Sequence, residues 1–369
     1  MNKIILVFGG DSVEHEISII TALQISNKYY GKYKLLLCYH KNGEFYLNKN
    51  LNKIDYYKNL KPKLRDKIVF KANKKFIKQR GKKIFFDAVW IVEHGKYCED
   101  GTLYSFFKTL NIDVIAENLY SATIGHDKVL AKKLACVDTL KYVEIEKNEF
   151  FNNKNKLLTE LYDIGFPIIT KPSDLGSSIG VYSAKSIDEF IENCSTLFKL
   201  TNKIIVEKQL TNFEEFNIAL FKKNNEYILS EIEKVSSSHL LSYEDKYVND
   251  EKSLAGQNKE LPAKIPSSLK KEIEDSAIKI YKNLHASLVV RIDFLFDNET
   301  SKLYFNEINN IPGSLAYYLF EHKGIKINQL IDNLLDEGLS KIDDEKQLLT
   351  NFENNIFKYD KISNAKNNK

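Results

Sequence analysis

Residues 3–26 read KIILVFGGDSVEHEISIITALQIS, and this stretch decides the fold. Lys3 to Phe8 is an apolar run rich in branched residues, which predicts a buried strand. Gly9 and Gly10 break it. From Ser12 to Ser26 apolar residues fall at Ile17, Ile20, Leu23 and Ile25, the spacing of a helix with one buried face. Strand, glycine turn and helix in that order open an α/β layer. The apolar run stops too early for a secretory signal peptide.

Working outward, Tyr33 to Tyr39 predicts a second strand. Residues 41–87 alternate short β runs with lysine-rich turns, which predicts hairpins. Ala88 to Val92 reads as another buried strand. A loop from His94 to Gly101, a helix from Thr102 to Leu110 and a strand from Ile112 to Ala116 complete a first unit, 1–116. A second unit, 117–209, holds a helix from Asp127 to Asp138 and strands at Pro167–Lys171 and Gly180–Tyr182. A helix from Ile187 to Leu200 and a strand at Ile204–Glu207 follow. A third, 210–345, holds strands at Asn217–Phe221 and Tyr227–Glu233, then a polar loop over about 234–260. The helix Ser267–Leu284, strands at Val289–Leu295 and Leu303–Ile308, and a helix near 326–338 close it. The tail, 346–369, is rich in Asn and Lys and reads as solvated. No internal repeat is present.

The totals agree with this layout. At 369 residues the chain has room for two or three domains. Its hydrophobic fraction of 43% supports sizeable cores. A net charge of +4 against 50 acids is too balanced for a nucleic-acid binder. No apolar run is long enough to span a membrane. The four cysteines, Cys38, Cys98, Cys136 and Cys194, form no CxxC pair and define neither a disulfide framework nor a zinc site. These features predict a cytoplasmic protein.

Lys+Arg totals 54, but only Arg65, Arg80 and Arg291 are arginines. Lysine replaces arginine as a surface cation, but not where a flat bidentate guanidinium is needed. Arg291 stands in Arg291-Ile292-Asp293, and Glu307-Ile308-Asn309 follows in the next strand. In a strand, residues i and i+2 share a face. If the two strands pair, Asp293, Glu307 and Asn309 converge as hard oxygen ligands suited to Mg²⁺. Otherwise they are ordinary outward-facing residues.

Four further features have both a functional and a plain reading. The loop from Lys171 through Gly176-Ser177-Ser178 to Gly180 follows a strand with small residues, as a phosphate-cradling backbone nest does or as a hairpin turn does. It is not a Walker A sequence. Glu14 lies at a helix start, where an acid commonly complements the dipole. Lys246-Tyr247 sits in the polar loop, either a lid or disorder. Pro312-Gly313 is a turn, or a site where an N–H faces a reacting oxygen.

Taken together and in order, these segments resemble the D-alanine–D-alanine ligases of the ATP-grasp superfamily. The motifs run from Gly9-Gly10 with Glu14 and Ser18 through His94-Gly95, Glu99-Asp100-Gly101-Thr102, Asp127-Lys128 and Lys171 to Gly180. They continue with Glu207, Glu215, Tyr243 to Tyr247, Arg291-Ile292-Asp293 and Glu307 to Gly313. The resemblance implies a Rossmann-like N-terminal domain, a small central domain and a C-terminal domain, with ATP between the last two. It implies ATP-dependent ligation of two D-alanines through an acyl phosphate, for peptidoglycan precursor synthesis. The alternative is a ligase joining D-alanine to D-serine or D-lactate, or another ATP-grasp amino-acid ligase.

By the same resemblance, Lys128, Lys171 and Ser178 would hold ATP phosphates. Glu207, the backbone of Lys208 and Leu210, and Glu215 would meet adenine and ribose. Asp293, Glu307 and Asn309 would bind two Mg²⁺, with Mn²⁺ as an alternative. Glu14 would hold the ammonium of the first D-alanine in a pocket with His94, and Ser177 and Tyr247 would complete a hydrogen-bonded set. Lys246 and Tyr247 would ride on the lid, while Arg291 and the Gly313 N–H would stabilise an oxyanion. Ser314 and Tyr318 would contact the second substrate. A homodimer is also implied. Three positions depart from the pattern: Cys98 replaces a glycine, His126 a small or apolar residue, and Tyr318 a serine.

Overall fold

The computed structural model describes residues 2–58, 62–152, 154–235 and 259–349. The opening strand, Lys3–Gly9, lies at the centre of a six-stranded sheet. It pairs in parallel with Lys34–Lys41 on one side and Ala88–Ile91 on the other, and Val114–Ile115 extends that side. Glu44–Tyr46 and Lys67–Ile68 add antiparallel to the far edge. Hairpins in the lysine-rich region are therefore real, and Phe76–Gln79 with Lys82–Phe85 forms one of its own.

The first helix runs from His15 to Lys28, three residues later than the pattern predicted. Ser12 is used in the turn: its hydroxyl donates to the His94 carbonyl at 2.7 Å and accepts from the Glu14 N–H at 3.1 Å. The buried face also differs. Ile20 is 42% exposed, while Ser18, Ile19, Ala22 and Leu23 face inward. Ser18 sets that face, because its hydroxyl takes the Gly9 N–H at 2.9 Å and reaches the Val92 carbonyl at 3.2 Å. A polar residue here satisfies backbone groups that the strand ends leave open.

Gly9 is required at the strand end. Its φ is +111°, and a Cβ there would lie 2.4 Å from the His40 carbonyl oxygen, which is backbone and cannot yield. Gly9→Ala is expected to destabilise the protein by about 2–4 kcal/mol. Urea unfolding checks this: the midpoint should fall while the slope is unchanged.

A second, antiparallel sheet orders Tyr182–Ala184, Ile168–Pro172, Lys203–Lys208 and Tyr142–Glu146. The helices Lys154–Ile164 and Ile187–Leu197 cover it through Leu161, Phe190 and Leu197. The third sheet orders Lys259–Glu260, Glu233–Val235, Phe213–Lys223, Val290–Asp297 and Lys302–Asn309, with Glu226–Leu229 beside Phe213–Lys223. Ile218, Ile292 and Phe294 pack on the helices Lys128–Ala135 and Ser267–Asn283. The helix that starts at Lys128 ends before the predicted Asp138, because Cys136 turns left-handed at φ +56°.

The last helix is longer than expected, Ile327–Lys346. It shares one core with the first sheet: Ile4, Leu6, Phe8 and Trp90 meet Leu330, Ile331 and Leu334. Tyr29 and Tyr33 donate to Asp332 and Asp336, each at 2.5 Å. The first sheet and this helix are thereby tied into one body.

Candidate active site

A cavity of about 440 Å³ opens between the second and third sheets. Lys128, Lys171, Ser178, Glu207, Lys208, Leu210 and Glu215 all line it, together with Glu307 and Asn306. Lys128 is delivered by a helix N-terminus. Asp127 caps that helix, accepting from the N–H groups of Val129 and Leu130, while Ser173 donates to the same carboxylate at 2.6 Å. The Lys128 ammonium donates to the Leu175 carbonyl at 2.6 Å and lies 3.7 Å from Glu307.

Lys171 is buried, 2.5 Å from one oxygen of Glu207, and donates to Asn306 Oδ1 at 3.2 Å. Burial alone would depress its pKa, but the carboxylates of Glu207 and Glu307 outweigh that and hold it above its ordinary value. Burial likewise works against the Glu207 charge. Lys132 and Lys171 override it and hold the carboxyl down at about 2. Glu207 thus turns its carboxylate to two ammonium groups, and its backbone continues along the cavity into Lys208 and Leu210.

The loop after Lys171 links this cavity to a second pocket. Ser177 and Ser178 are both left-handed, at φ +54° and +58°. Each costs of order 1 kcal/mol for a residue with a side chain. That geometry turns adjacent serines to different sites. Ser178 lines the cavity, and the Ser177 hydroxyl donates to Glu14. Gly176 lacks a Cβ that would stand 2.9 Å from Glu14 Oε1.

Glu14 is buried beside His94. His94 Nε2 lies 3.1 Å from the Thr21 hydroxyl and Nδ1 lies 3.5 Å from Glu99. Burial and then the Glu99 charge raise the Glu14 pKa, against the Ser177 hydrogen bond, His94 and Lys128. Such a site welcomes a cation. A carboxyl raised on folding costs stability that grows as pH climbs above its unfolded pKa. Glu14→Gln is therefore expected to raise the melting temperature of the ligand-free protein at about pH 8, with little gain near pH 5. A parallel melting series across pH checks this; an equal shift at both pH values would contradict it.

On the third sheet Asp293 sits opposite Glu307 and Arg291 opposite Asn309. Arg291 Nε and Nη2 donate to the two Asp293 oxygens, each at 2.7 Å, and Asn309 Nδ2 donates to Asp293 at 3.1 Å. Phe294 pairs with Phe305, so Asn306 is an extra residue in its strand. This bulge lets Asn306 and Glu307 both line the cavity while Phe305 and Ile308 stay in the core. Among the described residues no three His, Cys, Asp or Glu side chains are placed to hold a metal ion. Two carboxylates and an amide, Asp293, Glu307 and Asn309, are a hard-oxygen set that leaves most positions of an ion to phosphate and water, as Mg²⁺ prefers.

Beyond Gly313, Ser314, Leu315 and Ala316 are all left-handed, at φ +55°, +56° and +49°. Ser314 is engaged away from the sheet: its N–H donates to Thr21 at 3.1 Å and its hydroxyl to Gln24. Tyr318 is largely buried and donates to Glu233 at 3.1 Å, with its pKa raised first by that burial. Cys98 fits its turn, because the positive φ values fall on Gly95, Tyr97 and Gly101, and its thiol donates to the Glu93 carbonyl at 2.9 Å. His126 lines a narrow space with Glu99, Lys128 and Glu307. Lys246 and Tyr247 lie outside the described residues. Lys132 and Asn306 were not singled out from the sequence. Lys132 had one signal, its place one turn after Lys128 on the same helix face.

Family models describe the same architecture. The D-ala D-ala ligase N-terminus matches residues 3–116 and the D-ala D-ala ligase C-terminus matches residues 132–336. A D-alanine--D-alanine ligase from Thermosipho melanesiensis is 34% identical, covering 97% of this chain and 99% of that one. Among solved structures, the VanG D-Ala:D-Ser ligase from Enterococcus faecalis superposes with a TM-score of 0.76 at 25% identity, covering 91% of this chain and 99% of that one. The D-alanine-D-alanine ligase from Helicobacter pylori gives a TM-score of 0.71 at 26% identity, over 91% and 98%. The chain belongs to the D-alanine–D-alanine ligase family and has its ATP-grasp fold.

Proposed function

We propose that the residues assembled above carry out the family's reaction, ATP-dependent joining of two D-alanines. The observation that supports this most is the shared loop: Ser178 lines the nucleotide cavity while Ser177 holds Glu14. ATP would lie in the cavity, its adenine along the backbone from Glu207 to Leu210 and its ribose at Glu215. Lys128, Lys171 and the loop N–H groups at Ser178 would take the phosphates. Asp293, Glu307 and Asn309 would hold two Mg²⁺, which when bound neutralise charge on the phosphates.

Glu14 would pair with the first D-alanine's ammonium, directing its carboxylate toward the γ-phosphate. Attack there releases ADP and leaves an acyl phosphate. The amine of the second D-alanine then attacks the acyl carbon, loses a proton and expels phosphate. Arg291 and the Gly313 N–H would stabilise the oxyanion formed in that step. Lys246 and Tyr247, which lie outside the described residues, would help to keep water from the acyl phosphate. Ser314 and Tyr318 would border the second substrate, Ser314 by its placement beside Thr21 and Tyr318 by its ring. The same reading takes the units as 1–116, 117–209 and 210–345, and the enzyme as a cytoplasmic homodimer. No helix among the described residues is long and apolar enough to cross a membrane.

Phosphate release from ATP with D-alanine as the sole amino acid tests this. Release that depends on D-alanine is expected; its absence would overturn the reading.

A further inference from the structure

Lys132 is almost completely shut from solvent, its side chain only 1% exposed, and it does not line the nucleotide cavity. Its ammonium lies 2.8 Å from Glu207 Oε1 and donates to the Phe305 carbonyl at 3.0 Å. The other Glu207 oxygen meets Lys171, and Lys171 reaches Asn306. A buried chain of charge thus runs from Phe305 through Lys132, Glu207 and Lys171 to Asn306. It crosses four elements: the helix Lys128–Ala135 and the strands Lys203–Lys208, Ile168–Pro172 and Lys302–Asn309.

The charges explain what this arrangement can do. Glu207 and Lys171 alone would form a neutral pair, with the lysine's charge turned onto the carboxylate. Lys132 matches that carboxylate from behind. The three groups then sum to one positive charge; Lys171 and Glu207 border the cavity and Lys132 does not. An ammonium has three donors. Among the described residues Glu207 and Asn306 engage two of them on Lys171, and in the proposed site a phosphate would meet the third.

We propose that Lys132 is a positioning residue for the nucleotide, offsetting Glu207 so that Lys171 presents its charge to ATP. The proposal rests on the nucleotide reading given above. A simpler role is a structural staple between helix and strand through the Phe305 carbonyl. The two roles differ in what they do to ATP binding.

The test is steady-state kinetics with direct ATP titration on the full chain, for wild type, Lys132→Met, Glu207→Gln and the double variant. Lys132→Met is expected to raise KM and Kd for ATP by roughly tenfold, the worth of one charge-assisted contact. KM for D-alanine should stay within about twofold, the scatter of independent sites. In the Glu207→Gln background the same substitution should change ATP binding by no more than about twofold, because the charge it offset is gone. Unchanged ATP binding, or an equal loss in both backgrounds, would overturn the proposal. Should Lys132→Met fail to fold, Lys132→Gln keeps a donor for Phe305 and removes the charge; the same rise is expected, and its absence is equally contrary. A wild type that releases no phosphate with D-alanine contradicts the functional reading, whereas an active wild type with unaffected variants contradicts only the role of Lys132.

Discussion

Arg291→Lys is expected to lower turnover by about 10²–10³, the loss seen when one oxyanion donor is removed, while the protein still folds. The guanidinium uses Nε and Nη2 on Asp293 in a fork with both contacts at 2.7 Å, and in the proposed function its remaining nitrogen would meet the oxyanion. Lysine offers a single point of charge and cannot grip Asp293 while reaching an oxyanion. Folding should survive, because the neighbouring Val290 and Ile292 in the core are unchanged. Arg65→Lys and Arg80→Lys are the controls. Arg80 pairs with Asp66 at 2.8 Å on a side chain that is 60% exposed, and Arg65 is exposed as well. Lysine keeps a charge for the buried Asp66, and neither arginine lines the nucleotide cavity. Steady-state kinetics on the three variants checks this; equal effects would remove Arg291 from the oxyanion.

Asp293→Asn is expected to cut turnover by about two to three orders of magnitude, since a bound metal ion contributes several kcal/mol to such a transition state. The change keeps the side chain's shape but removes the charge that Arg291 meets and that a divalent ion would share in the proposed function. The variant should also need more Mg²⁺ for half-maximal rate, which a titration of Mg²⁺ at fixed ATP would show. Circular dichroism should be unchanged. A variant with wild-type rate and wild-type Mg²⁺ dependence would take Asp293 out of the metal site.

The parts of this molecule that were readable in the sequence are those with local causes. The opening strand, glycine pair and helix follow from a change of hydrophobic period, while the structure moves the helix start and turns Ser18, Ile19 and Ala22 inward in place of Ile20. Arg291, Asp293, Glu307 and Asn309 were readable because alternation in a strand puts them on one face, and the register pairs them. Asn306 was not readable, because a bulge adds a residue that alternation assigns to the core. Lys132 was hidden among 51 lysines, nearly all of which belong on a surface. Its burial depends on Glu207, which is distant in the chain. The partner of Ser314 was not readable either, because three successive left-handed residues turn its hydroxyl to Gln24. The long final helix was underestimated because its last turns are held by Lys108 and Asp113, which meet Glu345 and Lys346, partners no local pattern shows.

The central claim concerns the product. Tyr318 is half-buried, its hydroxyl donates to Glu233 at 3.1 Å and its ring feels the charge of Arg291; in the proposed function it borders the second substrate. Mass analysis of the product formed from ATP, Mg²⁺ and an equimolar pool of D-alanine, D-serine and D-lactate tests the claim most directly. D-alanyl-D-alanine as the dominant product is the expected result. A dominant mixed product carrying D-serine or D-lactate would contradict it.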